Sequence, residues 1–220
     1  MAVSALVMAK APRPGSVKTR LEPLLGPQGC AALQAVLISR AAQWAEAVAP
    51  GRAYVACGPD GSAVEEVAVH VPGGVALFAD GCGDLGDRLA AATARVLREH
   101  SEPLLVVGTD MAVLTREHAR EAEAALRGDA DVVFGPALDG GYWIVGLRGA
   151  VPELFELGSE WGGPRVLQRS LALATGAGLS TELLGIERDL DDPADARALL
   201  ARGELPDEVA GALRAGAGAA

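Results

Sequence analysis

Val3-Ser4-Ala5-Leu6-Val7-Met8-Ala9-Lys10-Ala11-Pro12-Arg13-Pro14-Gly15-Ser16-Val17-Lys18-Thr19-Arg20-Leu21 is the stretch that decides the fold. Its first part, Val3 to Met8, is a short apolar run of the kind a strand buried on both faces shows. The stretch then turns to Gly, Ser, two Lys and two Arg. A buried strand opening into such a loop is a natural place to hold phosphates, because backbone N–H groups and cationic side chains converge there. Both lysines of the chain, Lys10 and Lys18, fall in this stretch, whereas the other 17 of its 19 basic residues are arginines. Lysine and arginine are not interchangeable, so keeping lysine at these two positions points to a chemical need. The competing reading is a basic surface loop with no ligand.

Outward from this stretch, strand and helix signals alternate. Gly26-Pro27 predicts a helix running to about Val48, with Pro27 suited to its first turn. Arg52 to Cys57 predicts a second strand, stopped by Gly58-Pro59-Asp60-Gly61, and a short helix follows from Ser62. Val75 to Phe78 reads as a strand, and Asp84 to Glu99 as a helix with Leu85, Leu89, Ala92, Val96 and Leu97 near helical spacing. Leu104 to Val107 is a continuous apolar run, as in a central parallel strand. Thr115 caps a helix through Leu126. Val132 to Phe134 and Tyr142 to Leu147 read as strands, and helices fit Pro164 to Thr175 and Pro193 to Arg202. This order predicts an α/β fold with right-handed crossovers and a mostly parallel sheet covered on both faces. Ligands of such sheets bind at the carboxyl ends of the strands. One domain is expected over residues 1–204. Residues 205–220 are expected as a partly disordered tail, frayed from Ala215 to Ala220.

Composition narrows the function. The chain has 220 residues, half of them hydrophobic but only 4% aromatic, so its core must be mainly Ala, Val and Leu. A net charge of −10 argues against nucleic acid as a partner and makes the basic loop a local exception. Cys30, Cys57 and Cys82 are odd in number and lack C-x-x-C spacing, which reads as a reducing cytoplasm without disulfides or zinc. The first apolar run is too short to cross a membrane and lacks the flanks of a signal peptide.

Polar clusters follow the strands. After Val3–Met8 come Lys10, Gly15, Ser16, Lys18 and Arg20. Gly108-Thr109-Asp110 follows Leu104–Val107. Thr115 is the better helix cap, so Asp110 is read as a ligand of a divalent metal near phosphate. Asp139-Gly140-Gly141-Tyr142 either lets a backbone approach a ligand or makes a hairpin turn, and spacing alone favours the turn. Asp189-Leu190-Asp191-Asp192-Pro193 offers carboxylates to complete a metal site with Asp110, or a plain acidic helix cap. Gly81-Cys82-Gly83-Asp84-Leu85-Gly86 fits G-x-G-x-x-G but lies in the third strand–helix unit, so it is not read as a dinucleotide fingerprint. Gly83, Asp84, Gly86 and Arg88 remain candidates to line a pocket. Trp161 either covers a ligand or packs. The three histidines lie apart and suggest neither a metal site nor a triad.

Taken in order, these residues resemble a bacterial family of short transferases with the GT-A (nucleotide-diphospho-sugar transferase) fold, whose members are often labelled glycosyltransferases and often lie near radical-SAM genes. The carrying motifs are Lys10 to Leu21, Gly83 to Arg88, Gly108 to Leu114, Asp131 to Leu147, Trp161 to Pro164 and Asp189 to Asp195. More distantly the chain is similar to molybdenum-cofactor and phospholactate guanylyltransferases, the latter with a basic K-[ST]-R-L loop. Met111-Ala112-Val113 departs from the family's Cys-Pro-Asp-like stretch. Trp161-Gly162-Gly163 stands for Trp-Ser-Thr, and Asp192 for the Thr of D-T-P. The resemblance implies a three-layer, Rossmann-like GT-A fold and a magnesium- or manganese-dependent transferase acting on a small-molecule acceptor.

Two chemistries fit. In nucleotidyl transfer from a nucleoside triphosphate to a phosphorylated acceptor, Lys18 and Arg20 neutralise phosphates, and the metal lies between Asp110 and Asp191, with Asp189 in reserve. Lys10, Gly15, Ser16, Gly83, Asp84, Arg88 and Thr109 would then bind the nucleotide. In glycosyl transfer a nucleotide sugar is the donor, with Asp139, Gly140, Gly141, Tyr142 and Trp161 at the sugar or acceptor. The basic loop favours the first chemistry. The altered loops also admit a nucleotide-binding protein without catalysis, and a homodimer is a further option.

Overall fold

The computed structural model describes residues 2–217. Seven strands form one sheet in the order β3-β2-β1-β4-β6-β5-β7. The central strand β1 (Ser4–Lys10) pairs in parallel with β2 (Ala53–Gly58) and with β4 (Leu104–Val107). β3 (Ala76–Ala79) extends the sheet beyond β2, also in parallel. On the far side, β6 (Tyr142–Leu147) runs antiparallel between β4 and β5 (Val132–Pro136), and β7 (Thr181–Leu183) lies parallel to β5 at the edge. The mostly parallel sheet agrees with the sequence reading. The one reversal follows from the short turn between β5 and β6, since a link of hairpin length joins only antiparallel strands.

Strand period divides the core into two layers. Ala5, Val7 and Ala9 of β1 face one apolar cluster, and Leu6 faces the other. Leu105 and Val107 of β4 likewise oppose Leu104 and Val106. α1 (Glu22–Val48), α2 (Ala63–Ala68) and α4 (Arg116–Arg127) cover the first face. α3 (Leu85–Glu99) and α5 (Val166–Gly176) cover the second. Three helices begin with the reciprocal caps their sequences specify: Asp84 with Asp87, Thr115 with His118, and Asp192 with Asp195. α1 is broken at Gly26 (φ 65°, ψ 169°), so its long part starts at Pro27 as the Gly-Pro pair predicted.

Two elements differ from expectation. β7 is three residues long and all three are exposed, so it carries no alternation to read. The segment expected as a tail carries helix α7 (Asp207–Ala217) instead, with Val209, Ala210 and Leu213 buried. Val209 and Leu213 join Ala196 and Leu199 of α6 (Pro193–Arg202) against Leu25, Leu33 and Leu37 of α1. The remainder of the expected frayed end, residues 218–220, lies outside the described residues. Among the described residues no helix is long and apolar enough to cross a membrane.

The chain winds from β1 out to β3, then returns to add β4 on β1's other side. Such a reversal leaves a crevice at the carboxyl ends of β1 and β4, where open α/β sheets bind ligands. The Lys10–Arg20 loop and Gly108-Thr109-Asp110 both open into it.

Candidate functional site

The loop after β1 is held from outside by Arg13. Its guanidinium donates to Asp60 Oδ2 at 2.7 Å, Glu66 Oε2 at 2.9 Å and Ser62 Oγ at 2.8 Å. These bonds hold the Asp60 and Glu66 carboxyls below the usual carboxylate range. The loop then turns at Lys18, which is in the left-handed region (φ 50°, ψ 35°) that few residues other than glycine adopt. The Lys18 carbonyl accepts from Leu21 N–H at 2.8 Å and from the Cys30 thiol at 3.2 Å.

Although Lys18 belongs to the basic loop, it does not lie at the surface. Its side chain is 3% exposed. The ammonium donates to Asp110 Oδ1 at 2.5 Å and to the Leu190 carbonyl at 2.6 Å. The turn at Lys18 aims the side chain inward, under the crevice floor. One ammonium thus ties three segments: the β1 loop, the β4 loop and the acidic 189–192 stretch. A backbone bond from Leu190 N–H to the Asp110 carbonyl, 2.8 Å, reinforces the tie.

Around this knot lies a cleft of about 460 Å³, lined among others by Lys10, Ser16, Lys18, Arg20, Gln34, Asp80, Arg88, Thr109, Asp110, Asp139, Asp189 and Asp191. Arg20 donates to Asp191 Oδ2 at 2.6 Å, and Arg88 to the buried Asp80 Oδ2 at 2.9 Å. Gln34 reaches in from α1. Its amide donates to the Lys10 carbonyl at 3.1 Å and to Thr109 Oγ1 at 3.0 Å, so it staples the ends of β1 and β4 together. Burial, and after it the neighbouring Asp139 carboxylate, push the Asp189 carboxyl up to about 6, with Asp195 and Asp110 adding to the effect. Carboxylates are therefore crowded on one side of the cleft.

A second chamber of about 220 Å³ continues past Asp139 and Asp189. Met111, Tyr142, Trp143, Trp161 and Val166 supply its apolar walls, and neither Lys nor Arg lines it. Trp161 packs edge-on to Tyr142 and donates from its indole to the Phe155 carbonyl at 3.3 Å. Asp139 Oδ1 accepts from Gly141 N–H at 2.8 Å, which sets the turn into β6. Gly140 (φ 94°) backs onto the Pro164 carbonyl, where a Cβ would collide.

The fold thus gathers most residues the sequence singled out. Lys10, Ser16, Lys18, Arg20, Arg88, Thr109 and Asp191 line the cleft, Asp110, Asp139 and Asp189 line both spaces, and Gly141, Tyr142 and Trp161 line the chamber. Gly15, Gly83, Asp84 and Gly140 line neither. Asp84 is occupied as the cap of α3, and Gly83 (φ 101°) leaves space that Asp87 fills. Gln34, Asp80 and Arg13 escaped the sequence reading. Gln34 had a signal, a polar residue on the buried face of an Ala/Leu helix; the partners of Arg13 come from the next strand–helix unit, and nothing beside Asp80 marks it as buried.

The donor set suits magnesium, a hard cation that takes oxygen ligands and needs only one or two protein carboxylates. Asp110 (side chain 58% exposed) and Asp189 line the cleft together and Asp189 feels the Asp139, Asp195 and Asp110 carboxylates in that order, whereas Asp191 is turned to Arg20. Among the described residues no three His, Cys, Asp or Glu side chains converge closely enough to hold an ion by themselves. A metal here would complete its shell with water or ligand oxygens.

A family model described as "Uncharacterized protein conserved in bacteria (DUF2064)" matches residues 40–163, more than half of the chain. No curated protein matches the sequence. A crystal structure from Desulfovibrio desulfuricans G20, described as a candidate nucleotide-diphospho-sugar transferase, superposes with a TM-score of 0.84 at 26% identity, covering 97% of this chain and 95% of that one. A cytidylyltransferase from Leptospira borgpetersenii gives a TM-score of 0.55 at 16% identity over 98% and 93% of the two chains. A CMP:2-keto-3-deoxy-manno-octonic acid synthetase complexed with CTP gives 0.54 at 15% identity over 92% and 100%. At such identities the last two establish a shared fold, the nucleotide-diphospho-sugar transferase type that the motifs implied.

Proposed function

The chain belongs to the DUF2064 family, and from that premise we propose that it is a divalent-metal-assisted transferase using a nucleotide donor. One observation carries the reading: four basic and five acidic side chains converge on a single cleft at the switch point of the sheet. The cytidylyltransferase and the CTP-bound synthetase place nucleotide chemistry on the same fold, which is support by analogy.

The leading chemistry is nucleotidyl transfer from a nucleoside triphosphate to a small phosphorylated acceptor. An acceptor oxygen forms a bond to the α-phosphorus as the bond to the β-phosphate oxygen breaks and pyrophosphate leaves. Lys18 and Arg20 neutralise the departing phosphates, with Lys10 and Arg88 beside them. Gln34 and the Arg13 clamp hold the loop in register. Asp110, with Asp189 or Asp191, would hold magnesium, which when bound supplies charge neutralisation on phosphate oxygens. The acceptor is already anionic and needs no general base, so this chain contributes positioning and electrostatics.

A second reading is glycosyl transfer from a nucleotide sugar. The cation-poor chamber favours it, since Trp161, Tyr142 and Asp139 suit a neutral ring better than a phosphate. The Desulfovibrio protein's description points the same way. A panel of nucleoside triphosphates and nucleotide sugars with magnesium separates the two. Pyrophosphate release supports the first and nucleoside diphosphate release from a sugar donor the second. A thermal-shift response without either product would leave a nucleotide-binding protein. No response to any nucleotide overturns the proposal.

A further inference from the structure

We infer that Lys18 is an internal stand-in for the metal ion, displaced when metal and phosphate enter the cleft. The inference rests on the metal-assisted reading above only for the identity of the replacing ion.

Three of the four basic side chains in the cleft are already ion-paired. Lys18 is held by Asp110, Arg20 by Asp191 and Arg88 by Asp80. Among the described residues, Lys10 alone of the four basic side chains has no carboxylate within 4.0 Å. A polyphosphate that draws on these paired cations competes with their carboxylates, and a carboxylate so released is left without a counter-ion. Metal and phosphate together resolve both ends of the exchange: phosphate receives the cations, and metal receives the carboxylates.

Lys18 is where the exchange has the highest stakes. Its side chain is 3% exposed, and its ammonium touches one carboxylate oxygen and one backbone carbonyl. Those are the oxygen donors a hard cation takes. The far side of Asp110 is open, at 58% exposure of the side chain, so the carboxylate is accessible to an incoming ion while its Oδ1 is engaged. A divalent ion on the same carboxylate would lie a few ångströms from the ammonium, and like charges that close repel strongly. Metal alone therefore meets a resident competitor. A nucleotide phosphate that accepts the ammonium removes that competitor, and by linkage metal then favours the nucleotide equally.

The test exploits the chain's two lysines. Full-length protein carrying ¹³Cε-lysine gives two side-chain signals, assigned with Lys10→Arg. Titration with Mg²⁺ alone should move the Lys18 signal in step with metal binding. In parallel, Mn²⁺ binding without nucleotide is measured for the wild type and for Lys18→Met. Loss of a charge-assisted competitor should tighten Mn²⁺ binding by about tenfold or more. Metal that binds the wild type while the Lys18 signal stays put overturns the inference. So does Lys18→Met affinity within about twofold of the wild type, or failure of metal to bind either protein. If Lys18→Met does not fold, the wild-type titration decides alone. Lys18–metal exchange that no nucleotide influences would instead sink the nucleotide-donor reading and leave the exchange standing.

Discussion

Lys18 and Asp110 stand 92 positions apart, yet their side chains meet at 2.5 Å across the crevice between β1 and β4. Each was identified as a separate functional candidate, a phosphate ligand and a metal ligand. Their contact makes them one unit, because neither can engage a ligand fully without altering the other's partner.

Lys18→Ala should therefore do two things. It should lower the stability of the ligand-free protein by about 1–3 kcal/mol, since the Leu190 carbonyl and Asp110 lose a shared donor. It should also weaken nucleotide binding by about tenfold or more, the scale of one charge-assisted hydrogen bond. Arg20, with a side chain 68% exposed, separates the two effects. Arg20→Ala should weaken binding while moving the melting temperature little. Calorimetry and thermal melts on both variants check this; equal destabilisation by the two would contradict the buried tie.

Arg13 sets a pH dependence. Asp60 and Glu66 are held below their ordinary range by its guanidinium. Depressed carboxyl values mean that the stabilisation is present above the unfolded value, near pH 4, and is lost as pH falls through the folded one. Arg13→Gln should thus melt below the wild type at pH 7, and the two melting curves should converge as pH drops from about 4 toward 2. A gap that stays constant over that range would show that the clamp acts through packing instead.

What the sequence could show depended on how local the cause was. β1, β4 and α6 were legible because each is specified by its own run of residues: a continuous apolar stretch for the strands, Asp192-Pro193 for the start of the helix. The reciprocal caps fall in the same class. Lys18, Asp110 and Asp189 could be named one by one, since each follows a strand end or precedes a helix. Their pairing could not be read, because it depends on a left-handed turn at a non-glycine residue. Asp80 stayed hidden for a similar reason: its partner Arg88 is near in sequence, but nothing in Phe78-Ala79-Asp80 marks the carboxylate as buried. α7 was lost to its neighbour, as the Gly- and Ala-rich end of the chain masked Val209 and Leu213.

That helix is testable by substitution. Leu213 is 1% exposed and packs with the Leu25, Leu33 and Leu37 face of α1. Leu213→Ala should cost about 2–5 kcal/mol, the range for buried leucines. Urea denaturation measures it, and a loss under about 1 kcal/mol would mean that the helix is a peripheral appendage.

Gln34 offers the sharpest separation of positioning from binding. Its amide donates to a carbonyl that can only accept, Lys10 O at 3.1 Å, and to Thr109 Oγ1 at 3.0 Å. Gln34→Leu keeps roughly the shape and removes both donors. It should cost about 1–3 kcal/mol, because the acceptor at the end of β1 is left without its partner. Gln34→Glu keeps the shape more closely, yet at neutral pH it places a carboxylate against the Lys10 carbonyl, in a side chain otherwise 3% exposed. It should be the more damaging of the two at pH 7. Below about pH 5 the new carboxyl gains a proton, and its O–H can donate to the carbonyl again. Stability of the Glu variant should then rise toward that of the wild type as pH falls, while the Leu variant shows no such recovery. Melting temperatures of the three proteins across this range decide the matter. A Glu variant that tracks the Leu variant at every pH would mean that the amide is not the staple between β1 and β4.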